Sequence, residues 1–283
     1  MKVALDTICL AKRPIEEAID VAIKTGYEAV ELYSDGWAGR HVPSSMSRES
    51  ARELKRKLDD AGLSCCAIST YVGGNGFNVI NEDEIQKQMD DCKKYIAIAH
   101  ALECPSLRAM PGSKKSNEMA RSANLLERFA NLDEDINLLV EIHFGGLIET
   151  AEDAVRYLEP LEGDNVGVIY DPGNMAVNGA EFGADDVRRL GKRLLHAHIK
   201  DMAEVSKNTP GSFEYGGRAF AWVPMGRGKV KYKEIFDAMA EMQYGGYLSI
   251  ECEGTAKGMT LEEILIHERE EVVRLISGKR SKT

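Results

Sequence analysis

Eight short apolar runs recur along this chain, each followed by a longer segment with helical spacing, and that alternation narrows the possible folds sharply. The runs are KVALDT (2–7), YEAVELYS (27–34), SCCAISTY (64–71), CPSLRAM (104–110), NLLVEIHF (137–144), NVGVIYD (165–171), LLHAHIKD (194–201) and YLSIECE (247–253). They are rich in Val, Ile and Leu, as strands covered on both faces should be. Between them, PIEEAIDVAIKTG opens on Pro14 and closes on Gly26, and the 47–62 segment starts on Ser47 and stops on Gly62. The final helical segment begins with the capping-box pair Thr260 and Glu263. Eight strand–helix units imply a parallel sheet, and the eightfold count favours closure into a (β/α)₈ TIM barrel over an open doubly wound sheet. No Gly-rich dinucleotide fingerprint follows the first run. Residues 1–283 are expected to form a single TIM-barrel domain, with 278–283 a flexible tail. The stretch 203–229, carrying Gly211, Gly216, Gly217, Gly226 and Gly228, is expected to be an active-site loop insertion.

Charge and cysteine usage exclude several classes of function. A formal net charge of −10 repels polyanions, and no basic patch offsets it, so nucleic acid is not an expected partner. No apolar run approaches the roughly 18 residues that cross a bilayer, and the N-terminus lacks the apolar stretch of a signal peptide. No membrane association and a cytoplasmic location are therefore expected. The six cysteines follow no CxxC spacing, and Cys65 and Cys66 read as core packing.

Active sites of such barrels sit at the carboxyl ends of the strands, where polar residues on apolar strands stand out. The fifth run offers Glu141 and His143, and the sixth ends on Asp171. The seventh carries His196, His198 and Lys200, and the eighth Glu251 and Glu253. Side chains alternate with period two, so each of these sets shares one face of its strand. Inward-facing, four successive strands would deliver carboxylates and imidazoles to one place. A divalent cation is the simplest compensation for burying them together.

The motifs LVEIH (139–143), NVGVIYDPGN (165–174), LLHAHIKD (194–201), VPMGRGKVKY (223–232) and GGYLSIECEG (245–254) resemble the xylose isomerase-like sugar phosphate isomerase/epimerase superfamily, in the same order and over nearly the whole barrel. The resemblance implies that Glu141, Asp171, His198 and Glu251 bind one divalent metal ion, Mn²⁺ first among Mn²⁺, Mg²⁺, Co²⁺ and Zn²⁺. It places His143, His196 and Lys200 near the substrate. Glu141 and Glu251 would act as the proton-transfer pair, with Lys200 orienting or protonating substrate oxygens. Asn174 stands where many relatives carry the histidine of DxxH, and Glu204 where ketohexose 3-epimerases carry an arginine. Arg218 or Arg227 from the insertion is the expected substitute for that arginine, and Arg108 on the fourth run is a further substrate-side candidate. Trp37, Tyr71 and Trp222 are candidates for stacking on a sugar ring.

The expected function is isomerisation or epimerisation of a keto-sugar or related polyol through an enediolate. The alternative is a metal-dependent lyase or dehydratase acting on a keto-cyclitol or oxidised glycoside. An endonuclease IV-type activity would need more histidines than six and a cationic groove. A small-molecule carbohydrate is the expected partner, and the superfamily is compatible with a homo-oligomer.

Overall fold

In the computed structural model, residues 1–34, 41–73, 81–113, 118–252 and 254–278 are described; Trp37, Glu253 and all but the first residue of the 278–283 tail lie outside them. The chain forms β1 (Lys2–Asp6), β2 (Ala29–Tyr33), β3 (Ser64–Val72), β4 (Ser106–Ala109), β5 (Asn137–Glu141), β6 (Val166–Tyr170) and β7 (Leu194–Ile199) in succession. Three short strands follow, β8 (Asp201–Val205), β9 (Phe213–Tyr215) and β10 (Arg218–Val223), and then β11 (Tyr247–Ile250). Strands β1 to β7 and β11 make a closed barrel in which β11 pairs with both β7 and β1, all in parallel. All eight expected runs supply a barrel strand. The helices are α1 (Ile15–Lys24), α2 (Arg48–Asp60), α3 (Glu82–Leu102), α4 (Met119–Ala130), α5 (Ala151–Leu158), α6 (Pro172–Asn178), α7 (Ala184–Leu190), α8 (Tyr232–Glu241) and α9 (Leu261–Ile276). Among the described residues, no helix is long and apolar enough to cross a membrane.

Local chemistry sets the helix ends. Ser47 caps α2 by accepting from the Ser50 N–H at 3.0 Å. Thr260 and Glu263 form the expected capping box of α9, with reciprocal bonds of 3.2 and 2.7 Å. Each helix then turns an apolar stripe to the barrel, such as Ala51, Leu54 and Leu58 on α2.

The strands feed two separate cores. Leu5, Val30, Leu32, Val140, Tyr170, Ile199 and Ile250 belong to the large outer core that meets the helices. Ala4, Ala29 and Cys66 form a small inner cluster against which Tyr247 packs. Alternation therefore assigns Asp6 (two beyond Ala4) and Glu31 (two beyond Ala29) to the lumen. By the same parity, Glu141 follows Leu139 inward, Asp171 follows Ile169 and Glu251 follows Ser249. None of the six cysteines forms a disulfide, and Cys65 and Cys66 are buried in β3 as packing residues.

Two local expectations change, and one helix is added. The 194–201 run is interrupted after Ile199, and its last residue, Asp201, begins a separate antiparallel sheet of order β8-β10-β9. Much of the 203–229 insertion is thus a folded sheet rather than a loop. Asp201 ties it down, accepting four backbone N–H bonds from Met202, Gly226, Gly228 and Val230 at 2.9–3.1 Å. A Cβ at Gly228 would fall 2.0 Å from the Asp201 carboxylate, so only glycine allows that approach. The 137–144 run ends at Glu141, and the chain turns back at His143, whose C=O accepts from Gly146 N. Finally, DPGN opens α6: Asp171 caps it, accepting from Asn174 N at 2.8 Å, with Pro172 in the first turn.

Candidate metal centre

At the carboxyl mouth of the barrel, one ligand atom each from Glu141, Asp171, His198 and Glu251 lies within 4.8 Å of the others. All four residues are buried. His198 is the hub. Its Nδ1 lies 3.1 Å from Glu251 Oε2, 3.3 Å from Glu141 Oε1 and 3.9 Å from Asp171 Oδ2. Lys200 Nζ stands between Glu251 (3.0 Å) and Asp171 (3.1 Å). Arg108 binds Glu141 Oε2 at 3.1 Å and Thr70 O at 3.3 Å, with its guanidinium 4.8 Å over the Tyr71 ring. Asn174 Nδ2 donates to Glu141 at 3.0 Å and Asp171 at 2.8 Å.

Electrostatics show how strongly these groups are coupled. Burial opposes charge on Glu31 and Glu141, yet His198 overrides it in both, helped by His196 at Glu31 and Arg108 at Glu141, and holds both carboxyls well below the ordinary range. Burial likewise opposes the Glu251 charge, but Lys200 and His198 bring it down to about 2. Burial lifts Asp171 to about 7 against the pull of Lys200. Burial works against a cationic His198, but Glu31, Glu141 and Glu251 raise it well above the usual imidazole value. Asp6 is raised well above the carboxylate range by burial and then by Glu31 and Glu251, which favours its neutral form.

With Asp6 neutral, four buried carboxylates (Glu31, Glu141, Asp171 and Glu251) face two permanent cations, Arg108 and Lys200. A divalent ion would supply the positive charge that a protonated His198 supplies in its absence, leaving His198 a neutral ligand. Three carboxylates and one imidazole within 4.8 Å also form a donor set suited to a borderline or hard dication. The residues fit a metal ion.

The remaining sequence candidates lie outside the four-residue set, some beside it and some apart. His143 is half-buried beyond the end of β5, with Nδ1 2.7 Å from Phe144 O; burial lowers its pKa. His196 is buried and bound to Glu31 at 2.8 Å. Arg227 is exposed, and no hydrogen bond or ion pair among the described residues joins its side chain to the cluster. Arg218 is drawn away by Glu204 at 3.5 Å and stacks over Phe220. Trp222 is buried against Gly254, and one face of Tyr71 is covered by Arg108. Arg108 Nη2, Asn174 Oδ1, Ser249 Oγ and Trp222 Nε1 are buried without a hydrogen-bond partner, an excess of polar capacity that a polar ligand would answer.

Sequence reasoning missed Glu31 and Asp6. The available signal was parity: both stand two residues beyond an alanine on apolar strands, as Glu141 stands two beyond Leu139.

The sequence profile of the xylose isomerase-like TIM barrel family matches residues 19–273. The inosose dehydratase of Clostridium botulinum (strain Eklund 17B / Type B) is 28% identical over 141 residues, 48% of this chain and 47% of the relative. That of Clostridium tetani is 25% identical over 241 residues, covering 79% and 80%. The chain thus spans about half the length of the first relative and four-fifths of the second. Among solved structures, the IolI protein with a bound zinc atom superposes with a TM-score of 0.78 at 18% identity, covering 99% of this chain and 100% of its own. The probable 3-DHS dehydratase AsbF of Bacillus anthracis has a TM-score of 0.76 at 19% identity, covering 96% and 99%. An L-ribulose 3-epimerase has a TM-score of 0.76 at 15% identity, covering 98% and 95%. At such identities these likenesses speak for the barrel alone.

Proposed function

The chain belongs to the xylose isomerase-like TIM barrel family, and from that premise we propose that it is a divalent-metal-dependent lyase removing water from a keto-cyclitol or similar polyhydroxy ketone. The observation that carries this reading is the likeness to an inosose dehydratase over 79% of the chain, a stretch that includes much of the barrel. The absence of the ketohexose-epimerase arginine, with Glu204 in its place and ion-paired to Arg218 and Lys229, supports the same choice over the isomerase reading.

Glu141, Asp171, His198 and Glu251 would hold the ion, which supplies a Lewis acid for a ketone and its neighbouring hydroxyl. Arg108 and Asn174 fix the Glu141 carboxylate from two sides. His143 donates its Nδ1 proton to Phe144 O, because a carbonyl only accepts, and its Nε2 is left bare. That nitrogen is the base we assign to the proton on the carbon next to the ketone. Lys200, held between Asp171 and Glu251, is the acid that gives a proton to the departing β-hydroxyl. The C–H electron pair becomes the new double bond as the C–O bond breaks, and the hydroxyl leaves as water.

The isomerase reading keeps one observation on its side: Glu141 and Glu251 flank His198 from two strands, as a proton-carrying pair would. Incubation with a 2-keto-cyclitol and Mn²⁺ in D₂O, followed by NMR and mass spectrometry, separates the two. A product lighter by one water supports the lyase. Deuterium entering a product otherwise unchanged in composition moves the enzyme to the isomerases, and neither change with any polyhydroxy ketone overturns both.

A further inference from the structure

Glu31 stands outside the four-residue set but touches it through His198. Its carboxylate is fully buried and saturated with donors. Oε1 accepts from Ser69 Oγ and from His198 Nε2, the latter at 3.2 Å, and Oε2 accepts from His196 Nε2 at 2.8 Å. An ionised carboxylate only accepts, so each of these contacts places a proton on the partner, Nε2 in both imidazoles. A neutral imidazole has one lone pair, and fixing the proton on Nε2 puts that pair on Nδ1. In His198, Nδ1 is the nitrogen that faces Glu251, Glu141 and Asp171.

We propose that Glu31 is a positioning residue for the metal ion: by holding the Nε2–H of His198 it aims the ring's lone pair at Glu141, Asp171 and Glu251, while Ser69 and His196 hold Glu31 in place. The inference rests on the metal reading of the four-residue set. Glu31, His196 and His198 also lie close enough to hold an ion themselves. That arrangement would take the Nε2 lone pairs of both histidines. The His198 proton would then move to Nδ1 and remove the imidazole from the four-residue set. The Ser69 hydroxyl proton already occupies Oε1. One imidazole cannot serve both places while neutral, and four donors outweigh three.

The test uses the full chain and Zn²⁺ alone. Zinc stoichiometry and affinity are measured by chelator competition for the wild type, Glu31→Gln and His196→Gln, with folding checked by circular dichroism. Long-range ¹⁵N spectra of histidine-labelled, zinc-loaded wild type report which His198 nitrogen carries hydrogen. One zinc per chain is expected, bound about 10–100-fold more weakly by Glu31→Gln and less affected in His196→Gln. His198 should show a protonated Nε2. A folded Glu31→Gln chain that binds zinc as the wild type does overturns the inference and leaves the four-residue site standing. So does a second zinc that this substitution removes, or a His198 protonated on Nδ1. If the variant fails to fold, the wild-type spectrum decides. A wild type that binds no zinc brings down the metal site and this inference with it.

Discussion

The two ends of the barrel lumen are built from opposite materials. At the amino end, Ala4, Ala29 and Cys66 close together with Tyr247 packed against them, and Leu139 and Ile169 are fully buried on the same inward parity. Two residues further along the same strands the lumen holds Asp6, Glu31, Glu141, Asp171 and Glu251, all buried. Apolar burial at the first end favours folding. Burial of charge at the second opposes it, and is tolerated because each carboxylate except Asp6 has a cationic or imidazole partner. One strand, β5, crosses from one regime to the other within three residues. Stability and chemistry are thereby separated along the barrel axis.

Substitutions on β5 test that separation most sharply. Glu141→Gln, which removes one of the four proposed metal ligands, should leave the fold intact and abolish turnover, read from steady-state rates beside a circular dichroism spectrum. A variant with wild-type rate would refute the assignment. Leu139→Ala, two residues earlier, should cost about 2–5 kcal/mol in urea unfolding while zinc stoichiometry stays at the wild-type value. A change in stoichiometry there would show that the two ends are not independent. Ion loading addresses the mouth alone: free Mn²⁺ or Zn²⁺ at about a hundred times its Kd should stabilise the chain by about 2.7 kcal/mol. An unchanged thermal midpoint at saturating metal would argue against binding to the folded site.

The smallest effect concerns a carboxylate buried away from the mouth. Glu268 on α9 accepts from Met225 N at 2.9 Å, and burial lifts its pKa from 4.5 to about 7. Between those values the folded chain holds a proton that the unfolded chain has lost, so stability falls as pH rises through the window and levels off above it. Glu268→Gln keeps an acceptor for Met225 and removes the ionisation. It should flatten this slope, which amounts to about 2.5 kcal/mol between pH 5 and 8, measured as unfolding free energy at those two pH values. A slope equal to the wild type's would trace the pH dependence to the mouth carboxylates instead.

The barrel was legible because strand and helix periodicities differ and recur eight times, and because each helix brings its own caps. Asp171, His198 and Glu251 were legible for a related reason: ionisable residues interrupt apolar runs at strand ends. Glu31 was hidden by its neighbourhood, since YEAVELYS carries Glu28 as well and only the backbone separates exposed Glu28 from buried Glu31. The helix at 172–178 was not expected: it is only seven residues long and carries Pro and Gly in its first turn, which Asp171 caps. The small sheet at 201–223 depends on the contact of Asp201 with backbone some 25–29 positions later, beyond the reach of local pattern. His143 was placed on the strand by parity, but the chain leaves the sheet before reaching it.

The solid floor of small and apolar side chains beneath the carboxylates also governs traffic. With Ala4, Leu139 and Ile169 closed to solvent, the lumen beneath the carboxylates is filled by side chains. An ion and a substrate held at the mouth would then share one doorway. On that reading the ion would enter first and the substrate close over it, so a bound substrate should slow metal exchange and protect the loaded protein from a chelator.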